Sequence, residues 1–356
     1  MKKFTYFPII KTRDSELRCF KKLTENQLDK ILPIYELTKS RKTKLSPDGD
    51  ISKRMNEIKE IQKEKPFILD ITTDTRYSNS QTRALLNSYH GFYEWHNFLF
   101  DTHKDLNIIP MIHLYLTNDF TEIKAFVSNC CSRTNIRHLA VRLPYNIDKD
   151  FLVACFGAIS TSLSDTCKIY VILDVGYFRN EISLIQDITS STCSAIVPFN
   201  SIIEEIILTS TTFPRSPAQT GKNDISGHFN IYEKELYQNL LTEFPELKYG
   251  DYASINTEQI EIKAAAFVPR IDIVSEDGDT FSYTRYRRLD GGYIRCAKEL
   301  LTHNHYRKLK TWANEQIELA AHGFPEGISP SFWISVRMNY YIANRLNVIE
   351  NLNNIF

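Results

Sequence analysis

Eight short apolar runs between residues 6 and 251 each end in side chains able to do chemistry: Lys11, Glu36, Asp70, His113, Arg142, Asp174, the Thr209/Ser210 pair and Asp251. The carboxylates Glu36, Asp70, Asp174 and Asp251 are of the type that exchanges protons as general acid and base, or holds a divalent cation. Lys11, Arg142 and Arg215 are of the type that clamps an anion, with His113 and Tyr252 as further ligand contacts. Cations and carboxylates gathered at one rim suit hydrolysis of a phosphate ester or a glycosidic bond. The same residue types would equally serve as a charge network that only stabilises the fold.

These residues lie far apart in the chain, so shared chemistry depends on the elements that carry them. Each apolar run is followed by a polar, helix-like stretch, and the unit recurs at roughly 25 to 40 residues. The pattern predicts strands over 6–11, 31–37, 66–71, 107–115, 137–144, 168–176, 204–211 and 247–254, with 194–199 either a strand or a helix end. Alternating β and α elements build a parallel sheet or barrel whose ligand site forms at the carboxyl ends of the strands. Strand alternation puts Lys11 in phase with Ile9 and Phe7, Asp70 with Ile68, Arg142 with Ala140, and Asp174 with Ile172 and Tyr170. Charge therefore sits at a mouth above an apolar interior. The fold class predicted for residues 1–260 is an α/β, (β/α)8 TIM-barrel-like fold.

Beyond residue 260 the pattern changes. Asp277-Gly278 between two β-like runs signals a hairpin, and helices over about 292–321 and 331–352 follow. Residues 261–356 thus read as a β-hairpin and two-helix extension packed on the barrel. The segment between the strand at 204–211 and residue 230, rich in Gly, Pro, Ser and Asn, reads as a flexible cover over a site. Ser15 is placed as an N-cap. His303 and His305, two apart on the predicted helix, do not share a face.

Composition narrows the classes. Lys+Arg and Asp+Glu are both 43, which gives no global basic excess for wrapping nucleic acid. Local basic segments remain: Arg285, Arg287 and Arg288 interleave with Tyr286 in a pattern able to hold a phosphate backbone, and Lys39, Arg41, Lys42 and Lys44 form a second basic loop. The seven cysteines contain no C-x-x-C, which fits buried thiols in a reducing cytoplasm better than a disulfide framework. The first twenty residues are too soon interrupted for a signal peptide, and no run reaches bilayer length, so a soluble cytoplasmic protein is expected. G-x-G-x-x-G after the first strand, the Walker phosphate loop and G-x-S-x-G are all absent, which disfavours NAD, Walker-type ATP binding and serine hydrolysis.

Several segments carry a family signal: the opening YFPIIKTRDSEL, ILPIYEL, ILTSTTFP, and above all LKYGDYAS with the Arg-rich hairpin downstream. In these the chain resembles the phage beta protein family of tailed phages and bacteria, over almost its whole length. The most distinctive run is Tyr249-Gly250-Asp251-Tyr252, together with the preceding Phe213-Pro214. Two positions depart from the family pattern. Arg270-Ile271-Asp272 stands where an Arg-Tyr-Thr is usual, and Asn339-Tyr340-Tyr341 where Asn-His-His is expected. The resemblance implies a phage-related or anti-phage-defence setting and no particular reaction. Two functional expectations result. One is a barrel mouth that binds an anionic small molecule or nucleotide, with hydrolysis as the reaction and a divalent cation as a possible cofactor. The other is a non-enzymatic interaction protein that binds a protein or nucleic acid through its basic loops and C-terminal extension.

Overall fold

The computed structural model describes residues 4–115, 119–133, 136–257 and 267–353. Its centre is an eight-stranded parallel sheet built from β1 (Ile9–Lys11), β2 (Ile34–Leu37), β3 (Phe67–Ile71), β4 (Ile108–Ile112), β5 (His138–Pro144), β6 (Lys168–Tyr177) and β7 (Ile203–Thr211), with a later strand at its far edge. Before that last strand the chain makes β8 (Ser226–Asn230), which belongs to a second sheet; β9 (Lys248–Asp251) then pairs in parallel with β7. The sheet curls until its first and last strands nearly meet, and the Phe7 amide donates to the Tyr249 carbonyl across the seam at 3.1 Å. Gly250 permits this approach: a Cβ there would lie 2.6 Å from both the Phe7 carbonyl and the Thr209 side chain. The expected TIM-barrel-like architecture is the one the chain adopts, and 194–199 is a helix end running into a 3-10 turn.

Around the barrel lie α1 (Asp14–Lys21), α2 (Glu25–Leu28), α3 (Ile51–Gln62), α4 (Ser80–Leu85), α5 (Tyr89–Asn97), α6 (Thr121–Cys131), α7 (Lys149–Ser160) and α8 (Ile182–Ile196). On α5, Phe92 and Trp95 face inward, while Tyr89 and Tyr93 remain exposed. Trp95 is fully buried and its indole N–H donates to the Met111 carbonyl at 3.0 Å, fixing α5 to β4. Ser15 does not cap α1: the cap is Arg13, and the Ser15 hydroxyl donates to Glu16 inside the first turn.

The segment expected to be a loose cover is built into the structure. It forms α9 (Pro217–Thr220) and β8, and after α10 (Glu233–Leu241) and β9 the chain returns as β10 (Arg270–Val274) and β11 (Thr280–Arg285). The hairpin forms around Asp277-Gly278 as expected, and β8 adds to it in the order β10-β11-β8. Composition marked β8 as a loop because its partner strand lies some fifty residues away, a pairing that local propensity does not encode.

Three helices follow instead of two: α11 (Gly292–Leu301), α12 (Trp312–Ala321) and α13 (Pro330–Asn353). The predicted helix over 292–321 is interrupted because Thr311 starts a new helix through a capping box with Asn314. His303 and His305 therefore lie in a turn, with rings 5.0 Å apart, rather than along a helix. The sequence-based boundary between 260 and 261 lies outside the described residues. Among those residues, no helix is long and apolar enough to cross a membrane.

Candidate functional site at the carboxyl end of the barrel

Strand alternation sorts the side chains as expected. Phe7, Ile9, Ile34, Ile68, Met111, Ala140, Tyr170, Ile172 and Ile207 fill the barrel interior. One step further toward the carboxyl ends, register places Lys11 beside Glu36, Glu36 beside Asp70, and Asp174 beside Thr209. Six of the expected residues meet in this layer.

Arg142 is its hub. Nε donates to Asp174 at 3.0 Å, Nη1 to Glu36 and Asp70 at 3.1 and 2.9 Å, and Nη2 to Asp174 and the Tyr252 hydroxyl at 2.7 and 3.0 Å. A guanidinium has five N–H groups, so these contacts engage all of them. The Tyr252 hydroxyl donates in turn to Asp174 at 2.7 Å. Glu36 also accepts from Thr72 at 2.9 Å and pairs with Lys11 at 3.7 Å. Burial opposes the charge on Arg142, but Tyr252, Asp174, Glu36 and Asp70 outweigh it and hold its pKa above the ordinary value. Burial raises the carboxyl of Asp70, with Arg142 opposing.

His113 stands beside this cluster, its Nδ1 3.9 Å from Asp70 and its ring against Trp95 and Phe92. Burial pushes its imidazole down to about 3, so it is neutral at physiological pH, and its Nε2 has no hydrogen-bond partner. Formal charge at the mouth is two cations against three carboxylates. The anion clamp expected of Lys11 and Arg142 is therefore already filled from within. Among the described residues, no group of three or more His, Cys, Asp or Glu side chains is arranged to hold a metal ion.

Asp251 is not in this layer. Along β9 and the residue that follows it, Tyr249 and Asp251 point outward while Gly250 and Tyr252 point inward, so the Tyr249–Tyr252 run divides between two sites. Asp251 is fully buried and accepts from the hydroxyls of Tyr6, Tyr249 and Tyr341 and from the Ala253 amide. Arg345 lies 3.9 Å from it, donates to Tyr341 at 3.0 Å and reaches the Gly278 carbonyl at 2.9 Å. This buried knot ties α13 and the hairpin turn to the last barrel strand. Its signal in the sequence is Arg337, Tyr341 and Arg345 at four-residue spacing, one face of a helix. The turn beyond β9 puts Ala253 and Ser254 at φ of +48° and +65°, costly for residues with a Cβ. It is held by Asp251 on one side and by Arg337, which donates to the Ser254 carbonyl at 3.1 Å, on the other.

Open space lies beside the mouth. A cleft of about 720 Å³ is lined by residues that follow β1 (Arg13, Glu16), β7 (Phe213, Arg215) and β9 (Ile255, Asn256), closed by Arg270, Asp272, Tyr293, Trp333 and Arg337. Arg13, Arg215, Lys222, Arg270, Arg285 and Arg337 face three acids, Glu16, Asp224 and Asp272. Arg337 is 5% exposed, lies 4.2 Å above the Phe213 ring and pairs with Asp272 at 3.5 Å; burial lowers its pKa to about 10. Arg215 and Arg285 both line this cleft. Arg287 lines an adjoining chamber, while Arg288 opens a 3-10 turn on the surface. Glu16, Arg270, Asp272, Tyr293 and Arg337 were not anticipated, because none ends an apolar run.

A sequence model described as Beta protein matches residues 6–347. The chain belongs to the Beta protein family. Protein beta of Enterobacteria phage P4 is 27% identical over 355 residues, covering 98% of this chain and 95% of that relative. In the Beta-family chain, then, the distinctive Tyr-Gly-Asp-Tyr run seals the barrel, anchors α13 and completes the mouth. Among solved structures, the biosynthetic arginine decarboxylase of Campylobacter jejuni aligns with a TM-score of 0.41 and 8% identity, over 97% of this chain and 56% of the enzyme.

Proposed function

We propose that this Beta-family protein binds an anionic small molecule of nucleotide size in the cleft at the carboxyl ends of β1, β7 and β9. One observation carries the reading: six cations against three acids line a space of about 720 Å³, within the roughly 300–1,000 Å³ of small-molecule sites. The position matches the end of a β/α barrel where loops build ligand sites. Titration calorimetry with inorganic pyrophosphate and with AMP tests it. Arg215→Ala and Arg270→Ala are each expected to weaken binding by about tenfold, the size of one lost charge-assisted contact. Absence of binding by both probes at millimolar concentration would sink the reading.

The reaction we propose for such a ligand is hydrolysis at the barrel mouth beside the cleft, with Asp70 as the proton-transferring carboxyl. Its support is the place of Asp70 in the polar layer with Glu36, Arg142 and Asp174, where burial also raises its carboxyl. Asp70→Asn and Asp174→Ala should then remove phosphatase or glycosidase turnover while leaving ligand affinity in place. A second reading, a non-enzymatic interaction protein in phage biology or bacterial phage defence, rests on the exposed Arg287, Arg288 and Leu289 beyond β11. A plaque assay separates the two. Asp70→Ala and Asp174→Ala abolish the phenotype in the first reading and leave it intact in the second, in which neutralising Arg287 and Arg288 together abolishes it.

A further inference from the structure

The cleft does not end at Arg285. A second chamber of about 290 Å³ adjoins it, and the two share Asp224, Val268 and Arg285 in their walls. Each chamber has an aromatic wall. Tyr293 lines the larger one, stacked on Trp333 with ring centroids 4.8 Å apart, and its buried hydroxyl has no hydrogen-bond partner. Glu16, also in that wall, has a buried carboxylate oxygen without a hydrogen bond. In the smaller chamber Tyr286 is backed by Arg295, whose guanidinium lies 4.0 Å from the ring centroid.

At the shared wall Arg285 donates to Asp224 at 2.8 Å, and the Asp224 side chain is 96% exposed. An ion pair with so exposed a partner contributes little and is readily exchanged. A phosphate offers the same guanidinium two parallel hydrogen bonds. Asp224 thus occupies the position that a ligand phosphate would take.

Resting on the anion-binding reading above, we infer that the ligand is a dinucleotide: two ring-bearing halves, one in each chamber, joined by a phosphodiester at Arg285. The larger chamber supplies a hydroxyl at Tyr293 without a hydrogen-bond partner, and at Glu16 an acceptor oxygen that makes no hydrogen bond and pairs only loosely with Arg13 at 3.8 Å, for the hydrogen-bonding edge of a base. Buried polar atoms without partners are costly, so a ligand that satisfies them gains specificity as well as affinity. The smaller chamber supplies a ring face and the cations Arg287 and Arg295.

The test compares three probes on the full chain by calorimetry: inorganic pyrophosphate, AMP, and a linear diadenylate with a terminal phosphate. Joining two halves that each occupy a chamber should make the diadenylate bind at least about tenfold more tightly than AMP. Arg285→Gln should erase that advantage, and Asp224→Asn should strengthen diadenylate binding several-fold by removing the competing carboxylate. If AMP and diadenylate bind equally, or if Asp224→Asn leaves affinity unchanged, the dinucleotide inference falls while anion binding stands. If pyrophosphate, AMP and diadenylate all fail to bind, both fall.

Discussion

Replacing Arg142 with Met removes the guanidinium that three carboxylates share and leaves an uncharged chain of similar length. Breaking a buried pair by deleting one partner costs about 3–5 kcal/mol. The Arg142 side chain is 22% exposed and Glu36 keeps Lys11 at 3.7 Å, so the loss at neutral pH should fall near the lower end, about 3 kcal/mol. It should also depend on pH in one direction only. Without the guanidinium, the buried Asp70 carboxyl, which burial already raises, loses the cation that opposes that rise and is pushed up further. The folded variant then binds a proton that the unfolded chain does not. Its deficit is full above that raised value and shrinks as pH falls through it, by about 1.4 kcal/mol per pH unit for each extra proton bound. Urea unfolding followed by circular dichroism between pH 8 and 5 measures this. Arg142→Lys restores the charge without the five-point geometry, so it should flatten the pH profile while recovering only part of the stability. A deficit below about 1 kcal/mol, or one that grows as pH falls, would refute the account of Arg142 as a buried counter-ion.

Three further outcomes can be checked independently. NMR of the imidazole nitrogens should find His113 neutral from pH 8 down to 5, because burial lowers its pKa to about 3; titration near 6.5 would contradict its placement. As the folded value lies below the unfolded one, any stability His113 contributes is present above about pH 6.5 and lost on acidification. Asp251→Asn keeps the shape of the knot around Tyr6, Tyr249 and Tyr341 but strands the charge of Arg345. It should cost about 3–5 kcal/mol in the same urea assay, and a cost below that of Asp70→Asn would count against the knot as an anchor of α13. Gly250→Ala forces a methyl group to within 2.6 Å of the Phe7 carbonyl. Overpacking of this kind costs about 1–3 kcal/mol, seen as a lower melting temperature, and no change would mean the seam is looser than described.

The alternation of apolar runs and helical stretches was enough to determine the barrel, its inward-facing phase and the polar layer at its mouth. Each of those features depends on residues two to four apart, a distance over which strand and helix periodicity act directly. Lys11, Glu36, Asp70, His113, Arg142 and Asp174 were therefore legible as a group before any coordinates. Tertiary structure decided what that group does. Periodicity says which face a side chain takes but not what meets it there, so the closure of all five Arg142 N–H groups was invisible, as was the outward turn of Asp251 toward Tyr341 and Arg345. The pairing of β8 with a hairpin some fifty residues later was equally hidden, because strand pairing across such a separation is fixed by packing rather than by local preference. The cleft follows from the same cause: Glu16, Asp272, Tyr293 and Arg337 come from four unconnected stretches, and only the docking of the C-terminal helices against the barrel rim brings them around one space.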